Sequence, residues 1–94
     1  MTHDEKIEGV SQIMLALSNP KRISVVRTIG HDEKCVTSIN QLLNFSQPNL
    51  SQHLSVLRDA DIVEVVRRGN LRCYRLKNPG KVLTIVNAAI DMVE

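Results

Sequence analysis

The sequence predicts a mainly α-helical domain with one small β-hairpin near its C-terminal end. Three features lead there. Apolar residues recur at three- and four-residue steps through most of the chain up to Arg58. The pattern then switches to two β-rich runs, Ile62–Arg67 and Leu71–Leu76, on either side of Gly69 and Asn70. After Asn78-Pro79 the helical period returns and lasts to Val93. A chain of 94 residues makes a single domain. Its composition is 43% hydrophobic but only 2% aromatic, so the core must be aliphatic. A core this small often gains stability by being shared with a second copy.

Met1 to Asp4 are expected to be loose. Glu5 to Leu17 carries Ile7, Val10, Ile13, Met14 and Leu17 on one stripe, an amphipathic helix. Asn19 can cap the next helix and Pro20 suits its first position. That helix runs to Ile29, with Ile23, Val26 and Ile29 inward and Lys21, Arg22 and Arg27 outward. Gly30 to Lys34 reads as a polar loop, and Val36 to Asn44 as a short third helix. Phe45 is expected in the core of the following turn.

The stretch Ser46 to Arg58 organises the rest. Leu50, Leu54 and Leu57 form a single apolar stripe. Ser46 is a good N-cap, and Pro48 lies in the first turn, where its missing N–H costs nothing. The helix therefore starts sharply, and its first turn carries Gln47, Asn49, Ser51 and Gln52 outward. Amides and hydroxyls both donate and accept, as base edges in a major groove require. His53 lies nearer the buried edge and either holds the helix by a hydrogen bond or touches DNA. Two short helices joined by so tight a turn fit a helix-turn-helix.

In the hairpin, Gly69 and Asn70 tolerate the positive φ of a tight turn. Arg68 then opposes Leu71, Val65 opposes Tyr74, and Glu64 opposes Arg75 in a favourable charge pair. Val63, Val65, Tyr74 and Leu76 share the buried face, while Cys73 falls on the exposed one. A slip by one residue would bury the arginines. The formal charge is only +2, yet six of the twelve Lys and Arg lie between Arg67 and Lys81 with no acid among them. Such a block is an electrostatic footprint for an anionic polymer.

The last helix, Pro79 to Val93, is apolar most of the way round. A helix of that kind is buried on more than one side. A symmetric dimer is expected, with Ile7, Val10 and Met14 of the first helix meeting Val82, Leu83, Val86, Ala89, Ile90 and Val93 of the last.

The element order is α-α-α-α-β-β-α, that of a winged helix-turn-helix. Leu17-Ser18-Asn19-Pro20-Lys21-Arg22, Phe45 to Leu54 with Leu57-Arg58, and Cys73-Tyr74-Arg75-Leu76 resemble the bacterial ArsR/SmtB family of repressors. The resemblance covers nearly the whole chain. It implies a homodimer built on the first and last helices that binds double-stranded operator DNA and is released by an effector or oxidant. Ser46, Gln47, Pro48, Asn49, Ser51, Gln52 and His53 would then form the reading helix. Arg67, Arg68 and Arg72 of the wing would contact phosphate or the minor groove, with Arg22, Arg27 and Arg58 as further backbone contacts. Arg68→Ala is expected to weaken all duplexes alike, and Gln47→Ala to relax sequence choice.

The signal stays open at this point. The family's metal sensors often pair cysteines at the start of the third helix; here Cys35 stands with Thr37 instead of a second thiol. His31 and Cys35 have ligand-like spacing, and His3 or Asp4 of a partner subunit could join them. No confident metal or other cofactor follows, and the zinc site of the last helix lacks its residues. Cys35 and Cys73 are the alternative, as a redox pair or as two ordinary thiols. Two cysteines make no secreted scaffold, and no signal peptide or membrane span is apparent, so a cytoplasmic protein is expected. No phosphate loop, zinc-protease helix or nucleophile elbow supports an enzyme. The competing readings are a winged-helix protein-interaction module and a non-specific architectural DNA binder.

Overall fold

Side-chain caps fix where the helices begin. The computed structural model describes residues 1–94. Thr2 Oγ1 accepts from the Glu5 amide at 3.2 Å, so α1 (His3–Ala16) starts inside the stretch expected to be loose. Asp4 and Glu5 in its first turn suit the positive end of the helix dipole. Asn19 Oδ1 accepts from the amides of Lys21 and Arg22 at 2.9 and 3.3 Å, opening α2 (Pro20–Ile29). After α3 (Val36–Leu43), Asn44 adopts φ 55°, a left-handed cap that Asn tolerates. The chain thereby turns into α4 (Gln47–Asp59) within three residues, as the helix-turn-helix reading requires. Asp61, at φ 62°, redirects the chain from α4 into the sheet.

Strands β2 (Val63–Arg68) and β3 (Leu71–Leu76) pair antiparallel in the expected register, including Glu64 opposite Arg75 and Val65 opposite Tyr74. Gly69 takes the positive φ of the turn, at 62°. A third strand, β1 (Lys34–Cys35), pairs with the far edge of β3, giving the order β1-β3-β2. It replaces the end of the expected polar loop. Two residues have no period to read, but they cover the backbone groups that β3 would otherwise leave unpaired.

The core gathers Val25, Val26 and Ile29 of α2, Ile39 of α3, the leucines of α4, and Val63, Tyr74 and Leu76 of the sheet. Two expectations change here. Cys73 is fully buried rather than exposed, because α3 contacts β3 and β1 closes the edge of β3, with Cys35 directly opposite Cys73. Val82 and Val86 of α5 (Pro79–Val93) are buried within this subunit's own core and are not free for a partner. One turn apart, they form the stripe of α5 that faces its own domain.

Candidate nucleic-acid interface

The reading helix is locked from its inner side. Leu50, His53, Leu54 and Leu57 are all buried. The opposite side is thereby presented outward: Ser46, Gln47, Pro48, Ser51 and Gln52 are exposed, and Asn49 is half-buried. Ser46 Oγ accepts from the Asn49 amide at 3.3 Å, so the cap expected from sequence is formed. Gln47, Asn49, Ser51 and Gln52 make no side-chain hydrogen bond within the protein, which leaves their donors and acceptors available.

His53 is not part of that outward set. Its Nδ1 lies 3.4 Å from Arg22 Nη1, and its ring meets the Phe45 edge at 6.4 Å between centroids. Arg22 Nε donates to the Ala16 carbonyl at 2.7 Å, at the C-terminal end of α1. Lys21 Nζ stands 5.4 Å from the Phe45 ring centre, on the side of α2. His53 and Arg22 thus tie α4 to α2 and to the end of α1. For His53 this is the first of its two expected roles, holding the helix; Arg22, expected outward, is half-buried and spends Nε on the Ala16 carbonyl. Burial, followed by the nearby charges of Arg22 and Lys21, holds the His53 imidazole below its ordinary 6.5, favouring the neutral ring that can accept from Arg22.

Arg67, Arg68 and Arg72 are exposed on the wing. An open cleft of about 250 Å³ separates the wing from the two helices of the helix-turn-helix. Gln47 and Ser51 of α4 line it on one side and Asn70, Leu71 and Arg72 of the wing on the other. Cys35, Val36 and Thr37 form its third wall. Reading helix and wing therefore border one continuous surface. Thr37 and Asn70 belong to it although sequence reasoning singled out neither as a contact; nothing in their local pattern marks them. Arg27 and Arg58 are exposed too, at the last turns of α2 and α4. Arg58 lies roughly 16 Å along the helix axis from Gln47, at 1.5 Å per residue, so it borders a different part of the surface.

The basic block is less free than its sequence suggests. Glu33, just before β1, accepts from Arg68 Nε and Nη2, each at 2.9 Å. Glu64 accepts from Arg75 at 2.7 Å and Asp61 from Lys77 at 3.2 Å. The Arg68 fork holds the Glu33 carboxyl below its ordinary 4.5, and the same bond raises the Arg68 value. Arg67, Arg72 and Lys81 have no such acidic partner.

The cysteines come together. Cys35 and Cys73 face each other across β1 and β3 with Cα atoms 3.7 Å apart, and their sulfurs are joined. The thiol that His31 would need for a metal is used in that bond. No cluster of three or more His, Cys, Asp or Glu side chains is brought together anywhere in the fold. No helix is long and apolar enough to cross a membrane.

Comparison with known proteins agrees with this geometry. The sequence signature of the bacterial regulatory protein arsR family matches residues 19–65, from the cap of α2 to the middle of β2. The arsenical resistance operon repressor of Staphylococcus xylosus is 30% identical over 84 residues, covering 89% of this chain and 79% of that protein. The crystal structure of the transcriptional repressor BigR from Xylella fastidiosa aligns with a TM-score of 0.82 at 34% identity, covering 98% and 96% of the two chains. A homodimeric winged helix-turn-helix DNA-binding domain from Mycobacterium bovis aligns with a TM-score of 0.83 at 20% identity, covering 97% and 88%. At that identity it shows the fold alone. The chain belongs to the bacterial arsR family of winged helix-turn-helix transcriptional repressors.

Proposed function

We propose that the chain acts in the cytoplasm as a homodimer that reads an operator in duplex DNA through α4 and grips its backbone through the wing. The cleft shared by Gln47, Ser51 and Arg72 carries this reading, because it sets base-reading and phosphate-binding groups on one face. Gln47, Asn49, Ser51 and Gln52 supply sequence preference, while Arg67 and Arg72 supply the salt-dependent term. The dimer rests on α1, which buries only Ala16. Ile7, Val10 and Met14 remain 55%, 46% and 48% exposed, an apolar stripe with nothing of its own chain to cover it. Ala89 and Val93 of α5 are exposed as well, and Leu83 and Ile90 are partly so. A two-fold pairing through α1 and α5 puts two reading helices in successive major grooves about 34 Å apart. The Mycobacterium bovis domain of the same fold is itself homodimeric. Binding titrations on operator-like and random duplexes at rising salt test it. The expected result is tight, salt-sensitive binding with preference for one sequence. Binding indifferent to salt, or absent, would favour a protein-interaction module; equal binding to random duplex would favour an architectural role.

Cys35 and Cys73 are the pair through which a signal could reach this surface. Cys35 is the N-cap of α3 and a wall of the cleft, and Cys73 belongs to the wing strand. Exchange with a dithiol reductant would break the S–S bond, yield two thiols, and oxidise the reductant to its own disulfide. The wing would then be held to α3 only by packing and by the short β1 pairing. Reduction should raise duplex affinity, as release by an oxidant requires, and Cys35→Ser with Cys73→Ser should reproduce the affinity of the reduced protein and remove the response. Identical titrations with and without reductant would end this part of the reading.

A further inference from the structure

We infer that Glu33 is an internal stand-in for DNA phosphate: it occupies the guanidinium of Arg68 and withholds that cation from a duplex when the wing engages it. The inference rests on the wing being a phosphate contact, as proposed above.

The geometry of the pair is the first support. Glu33 presents both carboxylate oxygens to Nε and Nη2 of Arg68, each at 2.9 Å. Two oxygens of a phosphodiester would take the same fork, because Arg matches carboxylate and phosphate alike. One edge of the guanidinium cannot serve both anions fully. Position is the second support. Arg68 ends β2 beside the Gly69 turn, at the tip of the wing, with its side chain 61% exposed. The other two paired cations of the basic block, Arg75 and Lys77, follow later in the chain, away from that turn. Glu33 comes from 35 positions away, so the fold, not local sequence, delivers a carboxylate to the tip. Charge is the third support. While Glu33 holds Arg68, the tip carries no net charge from this pair, and the carboxylate repels an approaching phosphate. Arg68 is open to solvent and Glu33 is partly so, a setting in which such a pair contributes little to stability.

A brake of this kind acts on the sequence-independent part of binding. Removing the carboxylate charge frees one phosphate contact for every duplex. Glu33→Gln keeps the size of the side chain and one acceptor oxygen, which limits any effect on folding. The experiment compares wild type, Glu33→Gln, Arg68→Ala and the double variant on one random-sequence duplex across a salt series. Glu33→Gln should bind more tightly than wild type, with a salt slope steeper by about 0.9. Its advantage over wild type should be about 3.5-fold greater at 50 mM than at 200 mM salt. In the Arg68→Ala background the same change should lose that added slope. Weaker binding by Glu33→Gln, or an unchanged slope, would overturn the brake and assign Glu33 to holding the wing in shape. An added slope that persists without Arg68 would overturn it as well. Failure of wild type to bind any duplex would instead strike the underlying function, so the two failures are separable.

Discussion

The reading helix and the wing border the same cleft but are held in opposite ways. Four inward side chains of α4 are buried, and His53 adds a hydrogen-bonding fastener to α2. Its outward polar groups are therefore free and fixed in direction. The wing has a buried inner face but a solvent-open tip, and it is steadied by a covalent tie to β1 and by ion pairs with Glu33 and Glu64. In the proposed function, packing positions the part that discriminates, where small displacements would misalign hydrogen bonds. A covalent tie and exchangeable charge position the part that, on the same reading, needs only to attract. Half of the cations in the wing's basic block are already paired in the free protein, so net sequence charge overstates its pull.

The comparison can be broken or sharpened by changes of decreasing size. The largest should come from the seam that pairs two reading helices. Val10→Glu with Met14→Glu should give a monomer by sedimentation and reduce operator affinity by roughly 100-fold or more, through lost bivalency. Monomer with undiminished affinity would mean that one copy suffices. Next is the covalent tie of the wing. Closing a separation of 38 residues contributes about 4 kcal/mol in the chain-entropy account, so reduction should shift denaturant unfolding by that order. The packing of α4 comes third: Leu54→Ala should cost about 3 kcal/mol in the same assay, because the site is fully enclosed. An effect below 1 kcal/mol would mean the helix is less firmly seated than its burial implies.

Gln47→Ala should cost about 2 kcal/mol on the preferred duplex and little on random duplex, whereas Arg72→Ala should weaken both alike. Equal losses on both duplexes for both variants would erase the division between reading and gripping. The smallest effect concerns pH. The His53 value is lower folded than unfolded, so the unfolded chain binds the extra proton first on acidification. Stability from this group is complete well above pH 6.5 and is lost as pH falls through 6.5 and then the lower folded value. Thermal unfolding between pH 8 and 5 should show that loss, and His53→Gln should flatten it.

Much of this was legible in the chain itself, for local reasons. Ser46 and Pro48 fixed the start of α4 because caps are short-range chemistry, and the Leu50, Leu54 and Leu57 stripe fixed which side faces out. Gly69-Asn70 with the Glu64 and Arg75 opposition fixed the hairpin register. What stayed hidden depends on distant residues. β1 is too short to carry a period, so nothing local shows that β1 at its edge and α3 against it bury Cys73. Glu33 reaches Arg68 only after the fold is complete. Arg22 looked like a surface cation because nothing local reveals the Ala16 carbonyl it meets. The apolar pattern of α5 does not reveal which of its sides meets its own domain, and Val82 and Val86 lie on that side.

Selection of bound sequences from a pool of random duplexes tests the central claim most directly. Paired outward amides at groove spacing predict enrichment of one near-palindromic site, its half-sites about 10 base pairs apart centre to centre. With Gln47→Ala, the preference should relax at matching positions in both halves. Enrichment of no sequence, or of a single half-site without its mirror, would contradict the account.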